Sequence, residues 1–524
     1  MEYELSEYQK KIKTYFITHP HNNMAIEALA GCAKSFTALM LTNLTKTSDV
    51  YIAFNKSIQM EMKEKLTNPK TKCYTMHGLA LSVMSYNLSK TKKEYKLDNF
   101  KTIKSVDKLF EKYYKGTKKY STDMKLYLEE NYFILYNLIR LKSLSIDVDN
   151  VEYLINENAI FQDAENCIPP LTSEITDWLQ ELDIISKNEF EENCICDFTD
   201  MLYITKGKLS TGEWEVPYWL LFTNITIDES QDLSRLQYTL LPFFKRKGGR
   251  YIFIYDKNQA IYGFSGADCN ATQNIERIFA PITKFELPIN YRCGSKILAK
   301  VNSLYSIGIK PRPNANEGKV IIIGYNEISN YIQPDDFVLG RTNKQLVEVA
   351  LELIKKGVPI YLTDKEIVNS IIKFIRSLQE VNTVEDLKKR ADNFIRKYNK
   401  IENQSEKNKK QDIFEKYNIV KLLIKSYKSS KNTSENIIVF INYIKEVINT
   451  ENPKDCVRIM SIHKSKGLEA DNVFCLSKAQ PFYSLARSKD MMAQEKNLSY
   501  VAMTRAKENL YLVEDKIENK GEKQ

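Results

Sequence analysis

Long apolar runs are missing from this chain. No stretch approaches the roughly 18–20 residues needed to cross a bilayer. The opening Met1-Glu2-Tyr3-Glu4-Leu5-Ser6 has neither a basic nor an apolar leader segment, so the sequence reads as neither secreted nor membrane-embedded. Paired cysteines are missing too. Cys32, Cys73, Cys167, Cys194, Cys196, Cys269, Cys293, Cys456 and Cys475 show no C-x-x-C and no paired Cys/His spacing. That scatter excludes a zinc or disulfide framework and points to reduced thiols inside a cell. With 17 Gly and 14 Pro in 524 residues, collagen-like and low-complexity chains are excluded as well. Charge of one sign is modest: a net +9 permits a polyanionic partner without requiring one.

What is present is a globular balance of 43% hydrophobic and 27% charged residues, over a length that suggests about three or four domains. The positive charge is local. Ser89 to Tyr120 carries eleven Lys against four acidic residues, either a solvated helical surface or a face that meets phosphates. A second Lys-rich stretch, Val384 to Lys431, spaces its apolar residues (Leu387, Phe394, Ile395, Tyr398, Ile401) as amphipathic helices do. Between these blocks lie short β-branched and aromatic runs: Val50–Phe54, Ile225–Ile227, Tyr251–Tyr255, Lys319–Ile323, Phe337–Leu339 and Asn472–Leu476. Runs of this kind, each followed by a turn and a helical pattern, predict α/β architecture with parallel sheets flanked by helices. The expected boundaries are a first α/β domain at 1–85 and 195–280, interrupted by a basic helical insertion at 86–194. A second α/β domain follows at 281–365 and 454–515, interrupted by a short helical insertion at 366–453, with a polar tail at 516–524.

Ala28-Leu29-Ala30-Gly31-Cys32-Ala33-Lys34-Ser35 sits between the apolar Met24-Ala25-Ile26 and the helical pattern that begins at Phe36. This is the spacing of a phosphate loop, G-x-x-x-x-G-K-[ST], with Ala28 and Ala33 in place of the framing glycines. Lys34 suits β/γ-phosphates, the Ser35 hydroxyl suits Mg²⁺, and backbone N–H groups from Ala30 through Phe36 would face the anion. Because a Cβ disfavours positive φ, the loop either avoids that conformation at residues 28 and 33 or is strained there. An ordinary strand-to-helix turn is the alternative reading. About two hundred residues later, Ile225-Thr226-Ile227 runs into Asp228-Glu229. Metal-assisted triphosphate hydrolysis needs one carboxylate for the metal and another to take a proton from water, and Asp228 and Glu229 can fill those roles. A solvated acidic turn is the bland alternative.

Further motifs follow in order. Leu5 to Gln9, Ala53-Phe54-Asn55-Lys56, Thr75 to Ala80, Asp197 to Leu202 and Asp256 to Ala267 come first. Asn290-Tyr291-Arg292, Val338 to Asn343, Ser461 to Glu469 and Leu498 to Lys507 complete the set. Together with the phosphate loop and the acidic pair they resemble superfamily 1 DNA helicases of the UvrD/Rep/PcrA group over nearly the whole chain, and within it most resemble the F-box DNA helicase branch. The resemblance implies two RecA-like lobes, each with a mainly helical insertion, and ATP with Mg²⁺ as cofactors. Gln9 would meet adenine and Tyr291 would lie against it. Lys34, Glu229, Gln259, Arg292 and Arg505 would be catalytic, the last three reading the γ-phosphate. Gly467 and Glu469 would join the nucleotide site, and Ser35 and Asp228 would hold the metal. Phe54, Tyr262 and Phe264 would stack on bases. Asn55, Thr75, His77, Arg341, Asn343 and His463 would make the other nucleic-acid contacts.

The chain departs from that pattern at Tyr255, where a glycine is usual, at Phe264, where tryptophan is common, and at Ser230, where alanine is common. The expected protein is a soluble intracellular ATP-dependent DNA helicase, cytoplasmic or nuclear and encoded by a cell, a virus or a mobile element. It would move 3′ to 5′ along single-stranded DNA and engage single-strand/duplex junctions, with no membrane partner and no motif naming a protein partner. A translocase that strips proteins from DNA without unwinding, or a DNA-binding scaffold that does not hydrolyse ATP, are the alternatives.

Overall fold

The computed structural model describes residues 4–114, 122–158, 160–161, 170–363, 365–378, 381–399, 407–429, 434–448, 455–481, 483, 486 and 488–514. The expected tail at 516–524 lies outside the described residues, as does the Phe264 side chain. The chain divides into two units, Met1–Ile289 with Ala486–Gln494, and Asn290–Leu485 with Glu495–Gln524.

In the first unit six strands form one sheet: β1 (Asn23–Ala28), β2 (Val50–Ile52), β3 (Lys72–Tyr74), β4 (Phe222–Ile227), β5 (Lys245–Tyr255) and β6 (Ile282–Leu287). Their order is β3-β2-β4-β5-β1-β6, and every neighbouring pair is parallel. Register places Ile26 beside Ile254 and Ile52 beside Ile227, so the strands end together and the loops after β1, β4 and β5 leave from one edge. Central strands buried on both faces explain why β2 and the Tyr251–Tyr255 end of β5 read as unbroken apolar runs rather than alternating ones. Ile52, Ile225, Ile227 and Phe253 pack against Leu79 and Val83 of helix α4 (Met76–Lys90) and Leu202 of helix α9 (Phe198–Ser210).

The helical insertion has its own core, including Leu109 and Phe110 of α5 (Lys101–Tyr114), Leu135 and Ile139 of α6 (Thr122–Leu141), Leu154 of α7 (Val148–Asn158) and Leu179 of α8 (Thr172–Asn193). Its mouth is held by a parallel bridge between Lys96–Leu97 and Ile195–Cys196. Beside that mouth lies a buried charge cluster. Lys101 Nζ is 2.5 Å from Asp200 Oδ2, and Arg140 donates from Nη1 to Asp200 Oδ1 at 2.7 Å and from Nη2 to Thr102 Oγ1 at 2.8 Å. Thr102 bonds Asp197, and all five groups are buried. The basic run is therefore neutralised in part within the unit: Lys101 is spent on Asp200, Lys104 on Asp98, and Lys108 and Lys112 on Glu189 and Glu181 of α8.

The second unit repeats the architecture. Strands β7 (Lys319–Ile323), β8 (Phe337–Gly340), β9 (Ile360–Leu362), β10 (Val457–Ser461), β11 (Ala470–Cys475) and β12 (Ala506–Val513) lie in the order β7-β12-β11-β8-β10-β9. All of these pairs are parallel. The later helices, including Val384–Asn399 and Lys407–Ser429, share one apolar core with this sheet: Leu387, Val420 and Leu423 belong to the same cluster as Val338, Ile459 and Phe474.

The division between units departs from the expected 280/281. Strand β6, with the polar-interrupted sequence Ile-Thr-Lys-Phe-Glu-Leu, pairs with β1 and keeps the chain in the first sheet to Leu287 and in the first unit to Ile289. An edge strand half open to solvent carries no apolar run to mark it. Residues 486–494, expected with the second lobe, group with the first unit.

Candidate nucleotide and nucleic-acid site

The turn after β1 is where the two alanines diverge. Ala28 simply ends the strand, but Ala33 takes φ +59° and Gly31 φ +67°. The strained alternative is the one adopted, at a cost of roughly 1–2 kcal/mol for a residue with a Cβ. Ala33 is the cap of helix α2 (Lys34–Asn43) and offers no side-chain acceptor to its first turn, the arrangement that suits an external anion.

Across β5 from this turn, β4 delivers the acidic pair. Side chains alternate along a strand, and Glu229 breaks that alternation with φ +53°. Its Oε1 lies 3.2 Å from Lys34 Nζ, while Asp228 Oδ2 accepts from Ser35 Oγ at 2.9 Å and from Tyr51 OH at 2.7 Å. Burial, and then the charge of Glu229, raise the Asp228 carboxyl above its ordinary range, against the opposing pull of Tyr51, Lys34 and Ser35. Asp256 at the end of β5 is fully buried and raised for the same first reason. Gln259 Nε2 donates to Asp256 Oδ2 at 2.7 Å, the Asp256 N–H donates to Gln231 Oε1 at 3.1 Å, and Gln231 Nε2 donates to Glu229. A continuous hydrogen-bond chain thus runs from Gln259 to the acidic pair. The hydroxyl and carboxylate oxygens of Ser35 and Asp228, converging at a helix N-terminus, are a hard donor set that fits Mg²⁺ with phosphate and water completing its shell.

Tyr51, Gln231 and Asp256 were not singled out as site residues from the sequence. A tyrosine inside an apolar strand was the available signal for Tyr51, since a buried phenol needs a partner. Gln9 is buried with both ends of its amide engaged: Oε1 accepts the Ser6 N–H at 3.1 Å and Nε2 donates to Thr37 Oγ1 at 3.1 Å.

In the second unit Arg292 donates from Nε to Glu469 Oε2 at 2.5 Å and from Nη1 to Thr504 O at 3.1 Å. Arg505 is buried, donating to Val501 O at 3.0 Å and Leu468 O at 3.2 Å. Gly467, at φ +86°, turns the chain between these partners, and Tyr291 is exposed beside Arg292.

Of the residues expected on nucleic acid, Phe54 and Tyr262 come together in the first unit as a stacked pair, ring centroids 5.2 Å apart and 22° from parallel. They line a cavity of about 290 Å³ that also contains His77, Asp232 and, on its wall, Asp228. Burial lowers the His77 imidazole below its usual value. Asn55 and Thr75 serve as helix N-caps, accepting from the Ile58 and Gly78 N–H groups at 2.9 and 3.1 Å. In the second unit Arg341 forms a forked pair with Glu495, at 3.0 and 2.8 Å to Oε1. Asn343 opens the helix Asn343–Lys355, and His463 is pushed down to about 4 by burial and then by Arg341 and Lys466.

A phosphate-loop turn and an acidic pair at the ends of parallel strands, with a second parallel sheet of matching design, define a chain with two RecA-like halves. Residues 9–280 match the family model described as the UvrD/REP helicase N-terminal domain, and residues 456–513 match the UvrD-like helicase C-terminal domain. The chain belongs to the UvrD/Rep helicase family. It is 22% identical over 431 residues to the ATP-dependent DNA helicase Rep of Buchnera aphidicola subsp. Schizaphis graminum, covering 60% of this chain and 66% of that one. It is 23% identical over 529 residues to F-box DNA helicase protein 1 of Schizosaccharomyces pombe (94% and 56%). Against the ATP-dependent DNA helicase PcrA of Leuconostoc citreum it is 20% identical over 437 residues (62% and 58%). The chain thus spans 56 to 66% of the length of these curated relatives.

Proposed function

We propose that this chain is an ATP-dependent, Mg²⁺-requiring DNA helicase that moves along single-stranded DNA in the 3′ to 5′ direction. The observation that carries the reading is the pairing of Lys34 with Glu229 and of Ser35 with Asp228 at the ends of β1 and β4. A bound Mg²⁺ would supply charge neutralisation on the triphosphate. The protein's part is to hold and orient. Ser35 and Asp228 present oxygens to the metal, Lys34 neutralises phosphate, and Glu229 takes the proton of the attacking water. Moving Lys34 from Glu229 to a phosphate would free that carboxylate to act as the base. Gln259, linked to Glu229 through Asp256 and Gln231, is the side chain through which occupancy next to Tyr262 would reach the acidic pair. Arg292 and Arg505 are assigned to the γ-phosphate by the family resemblance, as their charge would offset what develops during phosphoryl transfer.

ATP hydrolysis with and without single-stranded DNA, followed by displacement of duplexes with 3′ or 5′ tails, tests the reading. The parent is expected to hydrolyse faster with DNA and to open the 3′-tailed duplex. Glu229→Gln is expected to lose about 10²–10⁴-fold in turnover while still binding nucleotide. Hydrolysis without strand displacement would replace unwinding by translocation alone. Absence of DNA-stimulated hydrolysis in the parent would leave a scaffold.

A further inference from the structure

The first unit carries a second charged concavity that the nucleotide reading does not use. An open groove of about 560 Å³ is lined in part by Lys46, Lys70, Lys72, Tyr218, Trp219 and Arg246. Each comes from a segment entering the sheet: Lys46 lies ahead of β2, Lys70 and Lys72 at the start of β3, Tyr218 and Trp219 ahead of β4, and Arg246 at the start of β5. The groove therefore lies at the opposite end of the strands from Lys34 and Asp228. The six residues of β4, at ~3.3 Å each, put about 20 Å between them.

No carboxylate is among the described residues that line it. The hydrogen bonds that steady the cations go to neutral acceptors, Lys72 Nζ to Trp219 O at 3.0 Å and Arg246 Nε to Leu221 O at 2.8 Å. Positive charge is therefore concentrated and not cancelled by the groove itself. Two large rings stand among these cations with unusual exposure, Tyr218 at 73% and Trp219 at 53%. Both are braced. The Arg246 guanidinium sits 4.7 Å from the Tyr218 ring centroid, and Trp219 meets Tyr86 edge-on at 5.1 Å and 86°. Rigid aromatic surface set among cations that have no carboxylate partner among the described residues is the recognition chemistry of single-stranded nucleic acid, in which phosphates take the charge and bases take the ring faces. An acidic peptide would satisfy the lysines but give the ring faces no flat partner.

We propose that this groove is a second binding site for single-stranded nucleic acid, separate from the Phe54–Tyr262 cavity. The site would act without nucleotide, so its test is independent of ATP hydrolysis. The full chain, without ATP, is titrated with (dT)12 at several KCl concentrations while tryptophan fluorescence is read. Trp178 and Trp214 are partly buried in apolar clusters, so a bound base is expected to quench mainly Trp219. The quench should vanish in Trp219→Phe. It should move to at least tenfold higher (dT)12 in the triple change Lys46→Glu, Lys70→Glu, Arg246→Glu, with the log–log salt slope smaller by about 2 for three lost phosphate contacts. The milder pair Lys46→Gln, Lys70→Gln should shift the midpoint three- to tenfold, and guards against misfolding of the triple variant. Quenching that persists in Trp219→Phe, or an unmoved midpoint in both charge variants, would overturn the proposal. Quenching by poly-glutamate with none by (dT)12 would assign the groove to an acidic protein instead.

Discussion

Ala33 pays for its place in the phosphate loop with a left-handed backbone, and that cost is measurable. Ala33→Gly removes the Cβ conflict at the expense of a freer unfolded chain, so a net gain of about 0.5–1 kcal/mol is expected. Urea unfolding of the first unit reads it, and a loss of stability would mean that Cβ packing outweighs the strain. His463 offers a test at the same scale. Its ring protonates near 6.5 when unfolded but only at about 4 in the fold. The unfolded chain therefore binds the extra proton between those values. The stability that His463 contributes is fully present above about pH 6.5 and falls as pH drops toward the folded value, by up to roughly 3 kcal/mol. The pH dependence of unfolding should flatten over that window in His463→Asn, and equal profiles for parent and variant would refute the assignment.

At the level of elements, the chemistry-bearing loops were legible because they follow the most apolar strands. Val50–Ile52, the Ile225–Ile227 end of β4 and the Tyr251–Tyr255 end of β5 are central or next to central, buried on both faces, and announce themselves as apolar runs rich in β-branched and aromatic residues. Lys72–Tyr74, Ile282–Leu287 and Ile360–Leu362 escaped notice because an edge strand of three residues, or one alternating with Lys and Glu, carries little apolar signal. The phosphate loop and acidic pair stood out as candidates by spacing, with an ordinary turn as the alternative for each until the further motifs were added in order. Tyr51 and the Gln231–Asp256 link did not stand out, since hydrogen bonds that join separate strands leave no local pattern. Nor did the density of lysine in α5 foretell that its charges face Asp200, Glu189 and Glu181. The buried cluster joining α5, α6 and α9 gives the prediction at this scale. Arg140→Ala leaves Asp197 and Asp200 short of a cation in a dry interior, and should cost about 3–5 kcal/mol. Chemical denaturation measures this, and a loss below 1 kcal/mol would show that water reaches the cluster.

At the scale of the whole molecule, two sheets with separate cores make all-or-none unfolding an unsafe assumption. Nucleotide with Mg²⁺ should raise the transition of the first unit, by about 2.7 kcal/mol at a hundred times its dissociation constant. Ser35→Ala should remove most of the metal-dependent part of that shift in a calorimetric scan. An equal shift in the parent with and without Mg²⁺ would separate Ser35 and Asp228 from any metal. In the proposed helicase, the face-to-face rings of Phe54 and Tyr262 would bear on traffic through the molecule. Rings that already shelter one another would give an arriving base a swap of neighbours instead of a vacant berth, so the reward at each step would be the small difference between two similar embraces. Tyr262→Leu should accordingly weaken (dT)12 binding to this cavity by less than tenfold, read by anisotropy. A light hold of this sort would favour passage over residence.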